Sequence, residues 1–262
     1  MVDPVQAFYD RFAADYHLIF ADWDAAITRQ AAVFDGLIEA TLCGSRGGAA
    51  RDLLDCACGI GTQALGLAAL GYRVTGSDLS PLAIARARQE ARQRHLDLSF
   101  VVADMRALDR LVPGRFDVVL AADNALPHLL SDEDLAQAIG AIAAKLRPEG
   151  LFLASMRDYD DALSRRPETW PARLLGQEGR RRIVRQVWEW SDARRYRVHI
   201  HITHETADGW RREHHVGCYR ALPRAELTTA LQAGGLGAVR WSMPTETGYH
   251  QPIVLARQTA GR

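Results

Sequence analysis

Charge of one sign is the first thing this 262-residue sequence lacks. Lys+Arg 32 and Asp+Glu 32 cancel to a net charge of zero, so no overall field draws the chain to nucleic acid or to an anionic membrane. The run Arg180, Arg181, Arg182 is the one local basic cluster, and a run that short reads as a solvated turn before a strand. Cysteine is scarce too. There are four, Cys43, Cys56, Cys58 and Cys218, and the Cys56–Cys58 spacing is neither a zinc nor a redox pattern. They read as small buried hydrophobes in a reducing compartment. No run approaches about 18 apolar residues, the length a membrane span needs. The opening MVDPVQAFYDRFAADY carries charges throughout and lacks a signal-peptide core, so a cytoplasmic protein is expected. A Ser-His-Asp set and a catalytic acid pair are also missing. His199 and His201 share one face of a predicted strand opposite Ile200 and Ile202. That is a solvent- or cavity-facing side, and no metal is expected.

What is present is a chain 48% hydrophobic and 24% charged, ample for one globular core with room for a subdomain. The stretch DLLDCACGIG, residues 52–61, runs through apolar residues to Asp55 and then meets Gly59 and Gly61 before a helical TQALGLAAL. Strand, glycine turn and helix open a nucleotide-binding α/β unit. Ala64 fits the third position of the dinucleotide pattern, and Asp78 follows at the distance of a ribose-binding acid. Alone, the stretch suits NAD, FAD or S-adenosylmethionine.

Around it, residues 3–40 read as helical, and CGSRGGAA breaks that pattern. From the first strand on, strands and helices alternate. YRVTGSD ends at Asp78, and Ser80-Pro81 starts a helix through Arg94. LSFVVAD ends at Asp104, FDVVLAADN near Asp123-Asn124, and LFLASMR at Arg157. From about 181 to 220 the pattern becomes an antiparallel meander, with Trp188 and Trp190 on one strand face as core or lid contacts. Two final strands joined by TETGYHQ close the sheet, an ending not expected of a dinucleotide fold built from two repeated halves. The expected fold is α/β, an open sheet with helices on both faces, a closing antiparallel hairpin and an inserted meander. The expected domains are a helical cap (1–49), a cofactor domain (50–157 and 221–262) and a β lid (158–220).

Ligands of open parallel sheets lie at the carboxyl ends of the strands. There the glycine turn admits close backbone approach, Asp78 can bridge two ribose hydroxyls, and Asp104 can accept from an adenine amino group. Asp55 is either a structural partner of the turn or a water-mediated ligand contact. Tyr249 and His250 lie in a loop that opens at the same face.

With those residues in view, the chain resembles class I S-adenosylmethionine-dependent methyltransferases, whose fold is the Rossmann-like sheet just described. LDCACGIG is similar to the family's cofactor turn, GSDLS to its ribose acid and ADMRAL to its adenine loop. DNALPHL and MRDYD resemble, more narrowly, the Asn loop and substrate-arginine segment of glycine N-methyltransferases. The resemblance implies a cofactor site of Tyr16, Arg29, Ala57, Gly59, Asp78, Leu79, Asp104, Met105, Ala122 and His128, with Arg29 on the cofactor carboxylate. It implies an acceptor site of Asn124 on the substrate amine, Arg157 on a substrate carboxylate, His128 and, by a loose match, Tyr219. The position before the Asn is Asp123 where that family has Gly, and the meander has little local similarity. The activity so implied is methyl transfer to the amine of a small amino-acid-like substrate. Alternatives are an enzyme of specialised metabolism acting on O, N or C or cyclising the cofactor, a nicotinamide-dependent oxidoreductase, and a cofactor-binding module without catalysis. The partner is a small molecule, with no nucleic acid or membrane, and homo-oligomer formation stays open.

Overall fold

A computed structural model describes residues 3–42 and 51–258. Cys43, the CGSRGGAA break and the 49/50 boundary lie outside the described residues. Helices α1 (Pro4–Phe12) and α2 (Trp23–Leu42), with a 3₁₀ turn at Tyr16–Ile19 between them, precede the sheet. Then come β1 (Asp52–Asp55), α3 (Thr62–Ala69), β2 (Arg73–Asp78), α4 (Pro81–Gln93), β3 (Ser99–Val102), α5 (Leu108–Leu111), β4 (Phe116–Ala121), α6 (Asp132–Lys145) and β5 (Leu146–Ser155). After α7 (Tyr159–Arg165), strands β6 (Arg173–Leu175), β7 (Arg182–Trp190), β8 (Arg195–Thr206) and β9 (Gly209–Arg220) form a separate sheet. α8 (Arg224–Ala233), β10 (Leu236–Ser242), α9 (Pro244–Thr247) and β11 (Ile253–Gln258) end the chain.

The main sheet runs β10-β11-β5-β4-β1-β2-β3, with β10–β11 and β11–β5 antiparallel and the other pairs parallel. Its central strands read as continuous apolar runs because helices cover both faces. Alternate residues feed opposite layers: Leu54 and Val119 pack with α6, while Leu53 and Val118 pack with α2 and α3. Local signals set the helix starts, that of α4 as expected. The Ser80 side chain accepts from Ala83 N at 3.0 Å with Pro81 in the first turn, and Ser131 accepts from Asp134 N at 3.0 Å.

The second sheet is the expected meander with the short edge strand β6 added. Its inward residues Trp188, Tyr196, Val198, Ile200, Ile202 and Tyr219 share one core with Phe8 and Phe12 of α1. Gly217 is the point of closest approach: a Cβ there would stand 3.1 Å from the Phe8 ring. The outward residues His199, His201 and His214 stack instead, His201 and His214 with centroids 4.4 Å apart. Among the described residues no group of His, Cys, Asp and Glu is arranged to hold a metal, and no helix is long and apolar enough to cross a membrane.

Two local expectations are corrected. Cys56 and Cys58 are buried, but Cys218 is exposed, because its register partner Arg197 lies on the outward face of β8. The Arg180–Arg182 run is not uniformly solvated. Arg181 pairs with Glu205, and Arg182 donates to the carbonyls of Leu18 (2.8 Å) and Ala21 (3.0 Å), tying the second sheet to the segment after α1.

Candidate functional site

The carboxyl ends of β1, β2, β3 and β4 open into a cavity of about 610 Å³ roofed by α1 and walled on one side by Val216, Gly217 and Cys218 of β9. That volume suits a small-molecule site. Of the expected cofactor residues, Tyr16, Ala57, Gly59, Asp78, Leu79, Asp104, Met105, Ala122 and His128 line it.

The glycine turn does what its sequence requires. Gly59 has φ +52 with nothing within 4 Å of where a Cβ would be, and Gly61 has φ +100, so the backbone bends left-handed and lies open to a ligand. Asp78 locks the turn from the neighbouring strand, accepting from Gly59 N at 2.8 Å and Ser80 N at 2.9 Å. Burial raises its pKa above the usual carboxylate range, against the pull of those two N–H groups. Asp55 is fully buried, and its Oδ2 has no hydrogen-bond partner. Desolvation, with Asp78 and Asp123 nearby, pushes its pKa up to about 8 although Ala57 N–H donates to it. Asp104 caps the following 3₁₀ turn, and its carboxylate is already taken by Arg106 at 2.6 Å. Arg106 also reaches Asp134 (2.8 Å) and Asp3 (3.3 Å), the N-cap of α1, and so ties the roof to the cavity rim.

Arg29 is a correction. The side of α2 that packs inward carries Ala26, Ile27, Gln30 and Ala31, so Arg29 faces solvent and does not line the cavity. Gln30 points inward instead, accepting from Gln63 Nε2 at 2.6 Å.

Asn124, Arg157 and Tyr219 form a second cluster behind the cavity rather than in its lining. Asn124, in left-handed backbone at φ 70, accepts from Arg157 N (3.1 Å) and Tyr159 OH (2.9 Å), and its buried Nδ2 has no partner. The Arg157 guanidinium lies 4.8 Å from the Trp188 ring and 5.0 Å from the Tyr219 ring, and donates to Tyr196 OH at 3.1 Å. Burial works against its charge, but the oxygens of Tyr196, Tyr159 and Tyr219 outweigh that and raise its pKa. The nearby acids are committed elsewhere: Asp158 and Asp160 pair with Arg224, and Asp161 with Arg165. Among the described residues, Arg157 has no carboxylate partner.

His128 joins the two clusters. Its Nδ1 sits 2.9 Å from Cys218 O. A carbonyl only accepts, so Nδ1 carries the proton, and Nε2 accepts from Tyr9 OH at 2.8 Å. Its ring lies 4.0 Å from that of Tyr219. Burial lowers its pKa to about 3, with the Cys218 carbonyl opposing. Tyr9, Tyr196 and Gln63 carry no motif and were not legible, and Tyr159, though inside MRDYD, was not singled out. Asp123 was, as a departure from the family pattern. Tyr249 and His250 meet at that carboxylate, Tyr249 OH donating at 2.5 Å and His250 Nε2 standing 3.4 Å away.

A family model described as a methyltransferase domain matches residues 53–150. A glycine/sarcosine N-methyltransferase of Parasynechococcus marenigrum (strain WH8102) is 34% identical over 156 residues, 59% of this chain and 55% of that protein. One from Halorhodospira halochloris is 33% identical over 116 residues, 44% of this chain and 43% of that protein. The chain thus spans about half the length of the curated relatives it matches. Among solved structures, the CcbJ methyltransferase from Streptomyces caelestis superposes with TM-score 0.76 at 20% identity, covering 98% of this chain and 100% of that one. The amino pentose methyltransferase CalS10 from Micromonospora echinaspora gives TM-score 0.72 at 23% identity over 95% and 96% of the two chains. Those two likenesses show the fold.

Proposed function

We propose that the protein moves the methyl group of S-adenosylmethionine to the amine of a small acceptor bearing a carboxylate; residues 53–150 match a methyltransferase domain model, and the chain has the fold of S-adenosylmethionine-dependent methyltransferases. The cavity residues fit the cofactor: an open glycine turn, a strand-end acid at Asp78 for the ribose, and Met105 and Asp104 in the adenine wall. When bound, S-adenosylmethionine supplies a methyl group already activated by its sulfonium.

The chain's own residues then have limited work. They must align the acceptor, keep its amine unprotonated and exclude water. Neutral His128, with its tautomer fixed, holds Tyr9 OH as a donor, so the phenol oxygen can only accept a hydrogen bond from the acceptor side and the amine sheds its proton to solvent before attack. The orphan Nδ2 of Asn124 is a donor waiting for a partner.

The observation that carries the acceptor class is the guanidinium of Arg157, half-buried among aromatic rings and, among the described residues, without an acid. Such a fork suits an anionic ligand, because a carboxylate accepts two parallel bonds from it. The glycine/sarcosine relatives support the same class. A second reading, methylation of an aminosugar amine in specialised metabolism, is favoured by the cage of Trp188, Trp190, Tyr196 and Tyr219 and by the full-length likeness to CalS10. An acceptor screen with methyl-labelled S-adenosylmethionine separates them. Glycine- or sarcosine-like acceptors should take label best, and preferential labelling of carboxylate-free aminosugars would replace the first reading by the second.

A further inference from the structure

Across the main sheet the carboxyl ends read Asp78 on β2, the glycine turn on β1, Asp123 just past β4 and Arg157 just past β5. Asp78 and Asp123 therefore flank the glycine turn, two strand spacings or about 10 Å apart. Both line the cavity.

Asp123 is built as an anion. Its backbone is left-handed at φ 54, and its N–H is held by Ser155 Oγ at 2.8 Å. Its two carboxylate oxygens accept from Tyr249 OH (2.5 Å) and from Gln63 Nε2 (2.9 Å). Gln63 is fixed in turn by Gln30, which also accepts from Tyr249 OH at 3.2 Å. These donors are neutral, and among the described residues no Arg or Lys pairs with Asp123; the half-exposed His250 approaches from the outer loop. Burial favours protonation, but the bonds from His250, Tyr249 and Gln63 prevail and hold its pKa below the usual carboxylate range. Two carboxylate oxygens offer about four lone-pair sites, so capacity remains on the cavity side.

We infer that Asp123 receives the α-ammonium of the cofactor's aminobutyrate arm. The inference rests on reading the cavity as an S-adenosylmethionine site. Two points favour the cofactor over the acceptor. An acceptor amine must be neutral to attack, and an ionised carboxylate against it would favour the protonated, unreactive form; the cofactor's ammonium stays charged throughout. The arginine that the sequence offered for that end, Arg29, faces solvent, and the inward side chains hydrogen-bonded in the Asp123 network (Gln63, Gln30 and Tyr249) are polar and carry no cation.

The test is calorimetric titration with S-adenosylhomocysteine and with its analogue lacking the α-amino group. Wild type should bind S-adenosylhomocysteine at least about tenfold more tightly than the analogue, as for a charge-assisted pair. Asp123→Asn keeps the shape and tolerates the left-handed backbone. It should weaken S-adenosylhomocysteine by about the same factor and leave the analogue within about threefold. Equal affinity of wild type for the two ligands overturns the inference without any variant. So does an Asp123→Asn protein that loses affinity for both ligands equally, or that binds S-adenosylhomocysteine as wild type does. Binding of neither ligand by wild type, in a protein with a cooperative thermal transition, overturns the cofactor reading itself.

Discussion

The two halves of the proposed site, one for the cofactor and one for the acceptor, are made differently. The cofactor side is built from consecutive residues at the ends of β1 and β2, where a left-handed glycine turn and one acid lock each other through Gly59 N and Ser80 N. The acceptor side is assembled from β4, β5, β7, β8 and β9, with Arg157 reaching Tyr196 and Gln186 from sequence separations of 39 and 29 residues. The first half is a short-range backbone device that tolerates little change. The second is a set of aromatic and polar side chains that the ends of β4 and β5 and the inserted sheet bring together. On the proposed reading, cofactor and acceptor sites can vary separately.

The sharpest way to break that division is Arg157→Met. If Arg157 serves the acceptor, kcat/KM for a carboxylate-bearing amine should fall at least about 100-fold, on the order of 2.7 kcal/mol. S-adenosylhomocysteine affinity should stay within about threefold. The melting temperature should change little, because Arg157 is half-buried and pairs with no carboxylate among the described residues. A drop in stability with unchanged turnover would make Arg157 structural.

On the other side, Asp78→Ala should weaken S-adenosylmethionine by more than about tenfold, about 1.4 kcal/mol, and also lower the melting temperature, since Gly59 and Ser80 lose their acceptor. Asp78→Asn keeps a carbonyl for one of them, so the gap between the two variants separates ribose contact from turn support. Unchanged affinity in both, measured by calorimetry, would sink the assignment.

Asp55 gives a smaller, pH-dependent effect. Its folded pKa of about 8 stands above the unfolded value of about 3.9. Between these the folded state keeps a proton that the unfolded state has lost, so stability falls as pH rises from about 4 to 8. Asp55→Asn cannot ionise, and its melting temperature should exceed that of wild type by a margin that widens across that window. A constant margin in calorimetric scans would contradict the assignment.

The smallest effect is expected at His128. With its pKa lowered to about 3, the imidazole stays neutral across the working range, and log kcat should show no limb between pH 5 and 7 that disappears in His128→Asn. Such a limb would mean that the site opens to water during turnover.

Particular residues show where sequence reasoning reached and where it stopped. The alternation of VHIHITH gave the faces of β8 correctly, Ile200 and Ile202 inward and His201 outward, since strand period alone decides that. Helix period did not identify Arg29 as solvent-facing, because the assignment came from likeness to a motif and not from which stripe of α2 was apolar. β6 and α7 left no recognisable pattern: three residues cannot display a period, and seven barely two turns.

The sequence by itself determined the features that contiguous residues control. These are the strand-turn-helix around Gly59 and Gly61, the acid ending β2, the Ser-capped helices and the antiparallel close of the sheet. Each follows from backbone geometry or hydrogen bonding over a few positions. Tertiary structure alone decided that Arg224 and Arg165 absorb the acids beside Arg157, that Tyr9 meets His128 across 119 positions, and that Tyr249, Gln63 and His250 converge on Asp123. The competition for each charged group is settled by which partners packing brings within hydrogen-bond reach, and no local pattern encodes that distance.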